Sequence, residues 1–325
     1  MLIDFRVYLA SVDLPGSHEN VAKVTTSQYS LKDPFFNPSK EVDIRNVFHC
    51  DGLLLCTTKD NRLVVWNPRS GERSWIQPRN SYEESDIYAL GKSSCNKYKI
   101  LRMYGRIFAM KLEIYDFTSK KWRRIANTTS LWIPTWIRGT SVSGNTYWLA
   151  LQRENENSRM RMEHTGMERT LVGFDFSEER FGRVSLPAGN CLCVRGLSVT
   201  REDQQLCLLT TQRSLGIDTV ELWRATKIES LVSQERRKTT KIDESTSWSK
   251  FLSVKTDQTF DLPKLSANFL ADRENKVLVS LHKPFMAKSS IHIVGDGKWI
   301  KVDLDHARSH CPFLVNYVPT LVQIQ

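Results

Sequence analysis

The tail "DLDHARSHCP" brings Asp305, His306, His310 and Cys311 close together, and these are residue types that ligate zinc. A closed zinc site needs about four ligands in tetrahedral geometry. His306 and His310 share a face only on a helix, and Pro312 with the strand-like residues beyond it opposes a long one. No second ligand pair accompanies them, so no metal site is expected. "CLC" places Cys191 and Cys193 on one side of a strand, unlike the two-residue gap of zinc or redox pairs, and reads as buried thiols. His49, Cys50 and Asp51 set a base beside a thiol, but no oxyanion-hole glycine pattern accompanies them. They read as an ordinary strand entering a bend at Gly52. Neither a catalytic set nor a cofactor site is expected.

A different chemistry fits "SLWIPTWIRGTSV", where Trp132 and Trp136 flank Pro134 and Arg138 follows. Aromatic rings and arginine dominate the energetics of protein interfaces. Trp132, Trp136 and Arg138 are therefore the candidate partner-binding residues, although the same rings also suit packing between sheets.

The elements that must position these residues are strands. "LLLC" and "LVVW" are apolar runs separated by "TTKDNR", in which Asp60-Asn61 tolerates the positive φ of a tight hairpin. Both runs are apolar at successive positions, so both faces of these strands are buried. The connection is too short for a crossover helix, which leaves an antiparallel sheet covered on both sides. After Trp66, "NPRSG" supplies a turn, with Gly71 at a position of positive φ, before the chain resumes at Trp75.

That pattern of strand, aromatic, polar turn and second aromatic recurs in "LEIYDFTSKKW" and "LVGFDFSEERF", and more loosely in "VELWRATKIES" and "IHIVGDGKW". Trp66 to Tyr115 is 49 positions, Tyr115 to Phe174 is 59, and Phe174 to Trp223 is 49. A period near ~50 residues with several strands per unit marks propeller blades. The predicted fold is an all-β propeller of six blades, five or seven being compatible, forming a single domain over 1–325 with about four strands per blade. Polar, charged insertions are expected at about 152–170 and 229–247, and no strong helix is visible.

Of the 325 residues, 40% are hydrophobic and 25% charged, as in soluble globular proteins. No apolar run spans a bilayer. Asp4, Arg6 and Asp13 break any signal-peptide core. Seven scattered cysteines fit reduced thiols in a cytoplasmic or nuclear protein. The net charge of +10 is dispersed over turns and loops and lacks interleaved aromatics, so a nucleic-acid partner is not expected.

"FHCDGLLLCTTKDNRLVVWNPRSGERSWIQP", "YALG", "YKILR", "RGTSVSGNTYWLA", "LVGFDFSEERFG", "ELWRATKIE", "SWSKFLSV" and "CPFLVNYVPTLVQIQ" resemble, in order, the F-box-associated domain (type 1) of plant F-box proteins. The resemblance runs from about Val42 to Gln325 and implies a kelch-like propeller. It also implies the role of substrate receptor in an SCF-type ubiquitin ligase, acting on an unknown protein substrate. In that family a helical F-box before the propeller docks on the Skp adaptor. Here "FRVYLASVDL" alternates like an edge strand of a blade, so direct adaptor contact is not expected. The expected function is a non-catalytic protein-interaction module. The alternative is a propeller-based enzyme or small-ligand-binding protein, which would gather several carboxylates or histidines in the central channel.

Overall fold

The computed structural model describes residues 1–13, 23–33, 40–106, 109–126, 132–152, 168–187, 193–201, 204–214, 217–228, 246–256, 269–282, 290–295, 298–304 and 314–324. Six antiparallel sheets follow one another along the chain. The first contains β1 (Leu2–Ile3), β2 (Arg6–Asp13) and β3 (Lys23–Tyr29). The second contains β4 (Ile44–Cys50), β5 (Leu53–Thr58), β6 (Leu63–Trp66) and β7 (Arg73–Ile76). The third contains β8 (Ile87–Lys92), β9 (Tyr98–Arg106), β10 (Ala109–Asp116) and β11 (Lys121–Ile125). The fourth contains β12 (Thr140–Val142), β13 (Asn145–Gln152), β14 (Glu168–Asp175) and β15 (Arg180–Val184). The fifth contains β16 (Cys193–Val199), β17 (Leu206–Ser214), β18 (Ile217–Lys227) and β19 (Ser247–Thr256). The sixth contains β20 (Phe269–Asp272), β21 (Val277–His282), β22 (Ser290–Gly295) and β23 (Lys298–Asp303). The arrangement is a six-bladed propeller, all-β throughout the described residues.

The double burial expected of the hairpin is met residue by residue. Leu53, Leu55, Leu63 and Val65 face the third sheet, in one cluster with Leu90 and Ile100. Leu54, Cys56, Val64 and Trp66 face the first sheet, with Leu2 and Val7. Alternation along each strand thus serves two different neighbours. Asn61 (φ 60°) and Gly71 (φ 76°) take the predicted positive φ values. Tyr115 pairs with Trp122 and Phe174 with Phe181 across their turns, with ring centroids 5.3 and 5.0 Å apart. Two tryptophans also tie adjacent blades: Trp122 Nε1 donates to Gln77 O at 2.8 Å, and Trp248 Nε1 donates to Ser185 O at 2.7 Å.

Several sequence readings change. The first sheet has three strands where about four were expected. Within it, β2 pairs with both β1 and β3, so "FRVYLASVDL" is a central strand and not an edge. Glu168, Arg169 and Thr170, read as loop, pair with Gln152, Leu151 and Ala150, because the apolar alternation of β14 carries the ladder back past Leu171. The rest of that insertion, 153–167, lies outside the described residues, as does 229–245 of the second. The turn between β12 and β13 uses Ser143 and Gly144, with φ of 50° and 81°.

At the closure Met1 and Ile3 of the first sheet pack in one cluster with Val279, Leu281 and Ile291 of the sixth, and the C-terminal tail adds to it. Leu314, Val315 and Asn316 line the central channel, and Val315 and Tyr317 pack against the cluster that holds Leu2 and Val7. Further on, Val322 and Ile324 pack beside the second and third sheets. Asn67, fully buried, donates its amide to Thr320 O at 3.2 Å and Val322 O at 2.8 Å, while its Oδ1 accepts from Arg69 N. Gly52 must lack a side chain, since a Cβ there would lie 2.2 Å from the Thr320 hydroxyl.

Candidate functional site

Strand direction assigns every loop to one of two rims. The inner strands β4, β8, β12, β16 and β20 all begin at one end of the channel, here the upper rim. Connections entering them, and turns between second and third strands such as β13 to β14, lie there too. Turns such as Asp51-Gly52 and Asn67–Gly71 lie at the opposite, lower rim. The segment that leads into β12 is therefore on the upper rim, and it carries Trp132, Trp136 and Arg138.

Its local geometry follows from apolar spacing around a turn. Ile133, Pro134 and Ile137 are buried, the two isoleucines within the largest core cluster. Ile137 N donates to Pro134 O at 2.9 Å, which closes a turn with Thr135 and Trp136 at its corners. Trp136 is thereby pushed outward and is 46% exposed. Trp132 is half-buried, held by a backbone bridge to Leu151, and meets Trp136 edge to face at 5.5 Å. Arg138 is exposed and donates from Nη1 to Asn46 Oδ1 on β4, so it spans the channel mouth from the fourth blade to the second. The structure thus brings Trp132 and Trp136 together as an aromatic pair on this turn, and places Arg138, two residues on, at the channel mouth.

The channel below is small, about 140 Å3, and among its described lining residues the only carboxylate is Asp86 and the only histidine is His49. Asp86 is already engaged, accepting from Arg102 Nε (2.9 Å), Arg102 Nη2 (2.7 Å) and the Tyr88 hydroxyl (2.9 Å). Arg102 also pairs with the fully buried Glu113 at 3.4 Å. This network ties β9 and β10 to the segment that enters β8. Arg195, on β16, adds a second guanidinium to the channel wall, with Nε donating to Thr211 Oγ1 at 2.7 Å. Nothing in the local sequence separates Arg102 from a surface arginine, and Arg195 becomes visible as a channel residue only once β16 is known to be an inner strand.

His49 sits on the channel wall, where its Nε2 accepts from Gly52 N at 2.9 Å and its ring meets Tyr317 edge to face at 5.5 Å. Burial lowers its pKa to about 4, against a smaller opposing pull from Asp51. The imidazole is therefore neutral at pH 7, and the unfolded chain binds the proton more readily. Stability from this group is complete above the unfolded value of about 6.5 and is lost as pH falls toward 4, on the order of 3 kcal/mol in all. Urea titrations of the wild type and His49→Gln across that interval should show a shallower acid loss in the variant. Equal slopes would contradict this account of His49.

Burial raises the Cys50 thiol to about 12 and pushes the Cys56 and Cys207 thiols up as well, which fits inert core residues. Cys193, read as buried, is exposed, because it is the first residue of β16 at the rim. Cys191, Asp305, His306, His310 and Cys311 lie outside the described residues. Among the described residues no group of three or more His, Cys, Asp or Glu is placed to hold a metal, and no helix is long and apolar enough to cross a membrane.

The model of the F-box associated beta propeller domain matches residues 1–324. The Arabidopsis thaliana protein At4g10190, named among the F-box proteins, is 48% identical over 333 residues, covering 100% of this chain and 84% of the relative. The F-box/kelch-repeat protein At3g16740 of the same plant is 38% identical over 350 residues, covering 100% and 83%. Among solved structures, a lectin of Aleuria aurantia aligns at 10% identity over 83% of this chain and 80% of its own, with a TM-score of 0.41.

Proposed function

The chain belongs to the F-box associated β-propeller family, and from that premise we propose that it is a non-catalytic interaction module that captures a protein substrate for an SCF-type ubiquitin ligase. The observation that carries this reading is the upper-rim surface of Trp132, Trp136 and Arg138. A half-exposed tryptophan on a rigid turn presents a large apolar contact with little ordering cost, and an adjacent guanidinium adds directed donors. Capture needs only a fixed scaffold and such a rim. The blades hold the geometry, and the side chains on the connections decide what binds.

Contact with the Skp adaptor belongs to the F-box, a module apart from the propeller. The 325 residues by themselves are not expected to bind it. The place of action is the cytoplasm or nucleus.

Affinity purification from plant extract with mass spectrometry tests the function. The wild-type chain should retain a protein at physiological salt after nuclease treatment, and the Trp136→Ala, Arg138→Ala double variant should lose it. A hot-spot tryptophan alone accounts for about 2 kcal/mol, or about thirtyfold in affinity. Equal recovery by both chains, or recovery that depends on RNA, would overturn the reading.

A further inference from the structure

The ladder of the fifth blade explains how a guanidinium comes to face the channel. β16 pairs Val194 with Thr210 and then Gly196 with Leu209, so Arg195 is the extra residue of a bulge. A bulge takes one residue out of the pairing and re-aims its side chain. Arg195 lines the channel near the upper end of β16, and its Nε donates to Thr211 Oγ1 at 2.7 Å, which holds the guanidinium in place. Its two Nη groups have no protein partner among the described residues and are not among the polar atoms sealed from solvent, so they stay accessible in a half-buried setting.

The surroundings favour an anion there. Asp86, the carboxylate among the described channel residues, is taken up by Arg102 and the Tyr88 hydroxyl. Arg169, on β14 of the preceding blade, brings a second cation to the entrance of β16, where its Nη1 donates to Val194 O. Burial lowers the Arg169 pKa; the Cys193 sulfur opposes this, and the charge of Arg195 adds to it. An anion relieves such repulsion between like charges. The channel, at about 140 Å3, is well under the roughly 300–1,000 Å3 of sites that enclose a whole small molecule. It admits the end of a side chain from a partner resting on the rim. A planar guanidinium fork matches a carboxylate with two parallel N–H bonds.

We propose that Arg195 is a carboxylate receptor: an aspartate or glutamate side chain of the captured protein enters the channel from the upper rim and accepts from the Arg195 Nη groups. The proposal rests on the upper-rim capture described above and adds the chemistry of the captured segment, an acidic residue in company with an apolar one that covers Trp136.

A library of random dodecapeptides displayed on phage is panned on the folded 325-residue chain at physiological salt, and enriched peptides are resynthesised with a fluorescent label for anisotropy titrations. Peptides whose binding needs Trp136 should share an Asp or Glu at one position. Replacing that residue by its amide should weaken binding about tenfold, and so should Arg195→Gln. The two changes together should cost no more than either alone, because they remove the same contact. Arg195→Lys keeps the charge without the fork and should recover only part of the affinity; it carries the same cycle if Arg195→Gln misfolds. Lys121→Gln, which removes an equal charge from an exposed position beside the lower rim, should leave the affinity unchanged. Trp136-dependent peptides without a common acidic residue, or losses that multiply in the cycle, overturn the carboxylate site and leave capture at the rim standing. Enrichment of no peptide that depends on Trp136 or Arg195 overturns capture at the rim, and this proposal with it.

Discussion

Removing residues 314–325 is expected to abolish cooperative unfolding of the ring. The tail reaches three separate core clusters: Leu314 packs beside the last blade, Val315 and Tyr317 beside the first, and Val322 and Ile324 beside the second and third. Each of these five partly buried side chains contributes on the order of 1 kcal/mol, given about 25 cal/mol per Å2 of apolar surface removed from water. Asn67 would lose the two tail carbonyls that its amide serves, about 0.5–1.5 kcal/mol for each hydrogen bond exchanged for water. The total is comparable to the whole stability of a typical domain, about 5–15 kcal/mol. The first blade, with three strands, has no other element among the described residues to seal it toward the channel. Circular dichroism melts of the full and shortened chains decide the matter. A sharp transition retained near the full-length temperature would show that the tail is an appendage.

Trp66→Ala should lower stability by about 3–5 kcal/mol, the usual cost of deleting a buried large aromatic ring. Trp66 is 3% exposed and ends a strand buried on both faces. Its ring meets Tyr29 of the first blade edge to face at 6.3 Å, so the cavity left behind opens at a blade interface. Urea midpoints measure the loss. Trp136→Ala, at the exposed rim, should shift the same midpoint by no more than about 0.5 kcal/mol. Similar losses for the two tryptophans would undo the separation drawn here between scaffold and recognition surface.

The blades were legible because their signals are local. Asn61 and Gly71 announce their turns through backbone conformations few residues adopt, and "LLLC" and "LVVW" announce burial on both faces by the absence of polar alternation. Repetition of the motif then gave the period. Closure of the ring was not legible, since Asn67 and Thr320 are joined by contacts more than 250 positions apart and Asn67 reads locally as a turn former and nothing more. The buried Arg102 was hidden for a related reason. Its partners Asp86 and Glu113 lie on flanking segments, and charge in a sequence carries no mark of depth. Trp132, Trp136 and Arg138 were visible as residue types, but that Trp136 rather than Trp132 faces outward depends on the turn closed by Ile137 and Pro134. Cys193 was misjudged because thiol chemistry says nothing about where a strand begins.

The claim that recognition occurs at the upper rim is tested most directly by hydrogen exchange on the complex with the captured protein. Binding should slow exchange in residues 132–140 and at the start of β4 around Asn46, leaving the turns at Asp51-Gly52, Asn67–Gly71 and Asp116–Lys120 unchanged. Protection confined to those lower-rim turns, with 132–140 exchanging as in the free chain, would contradict the account.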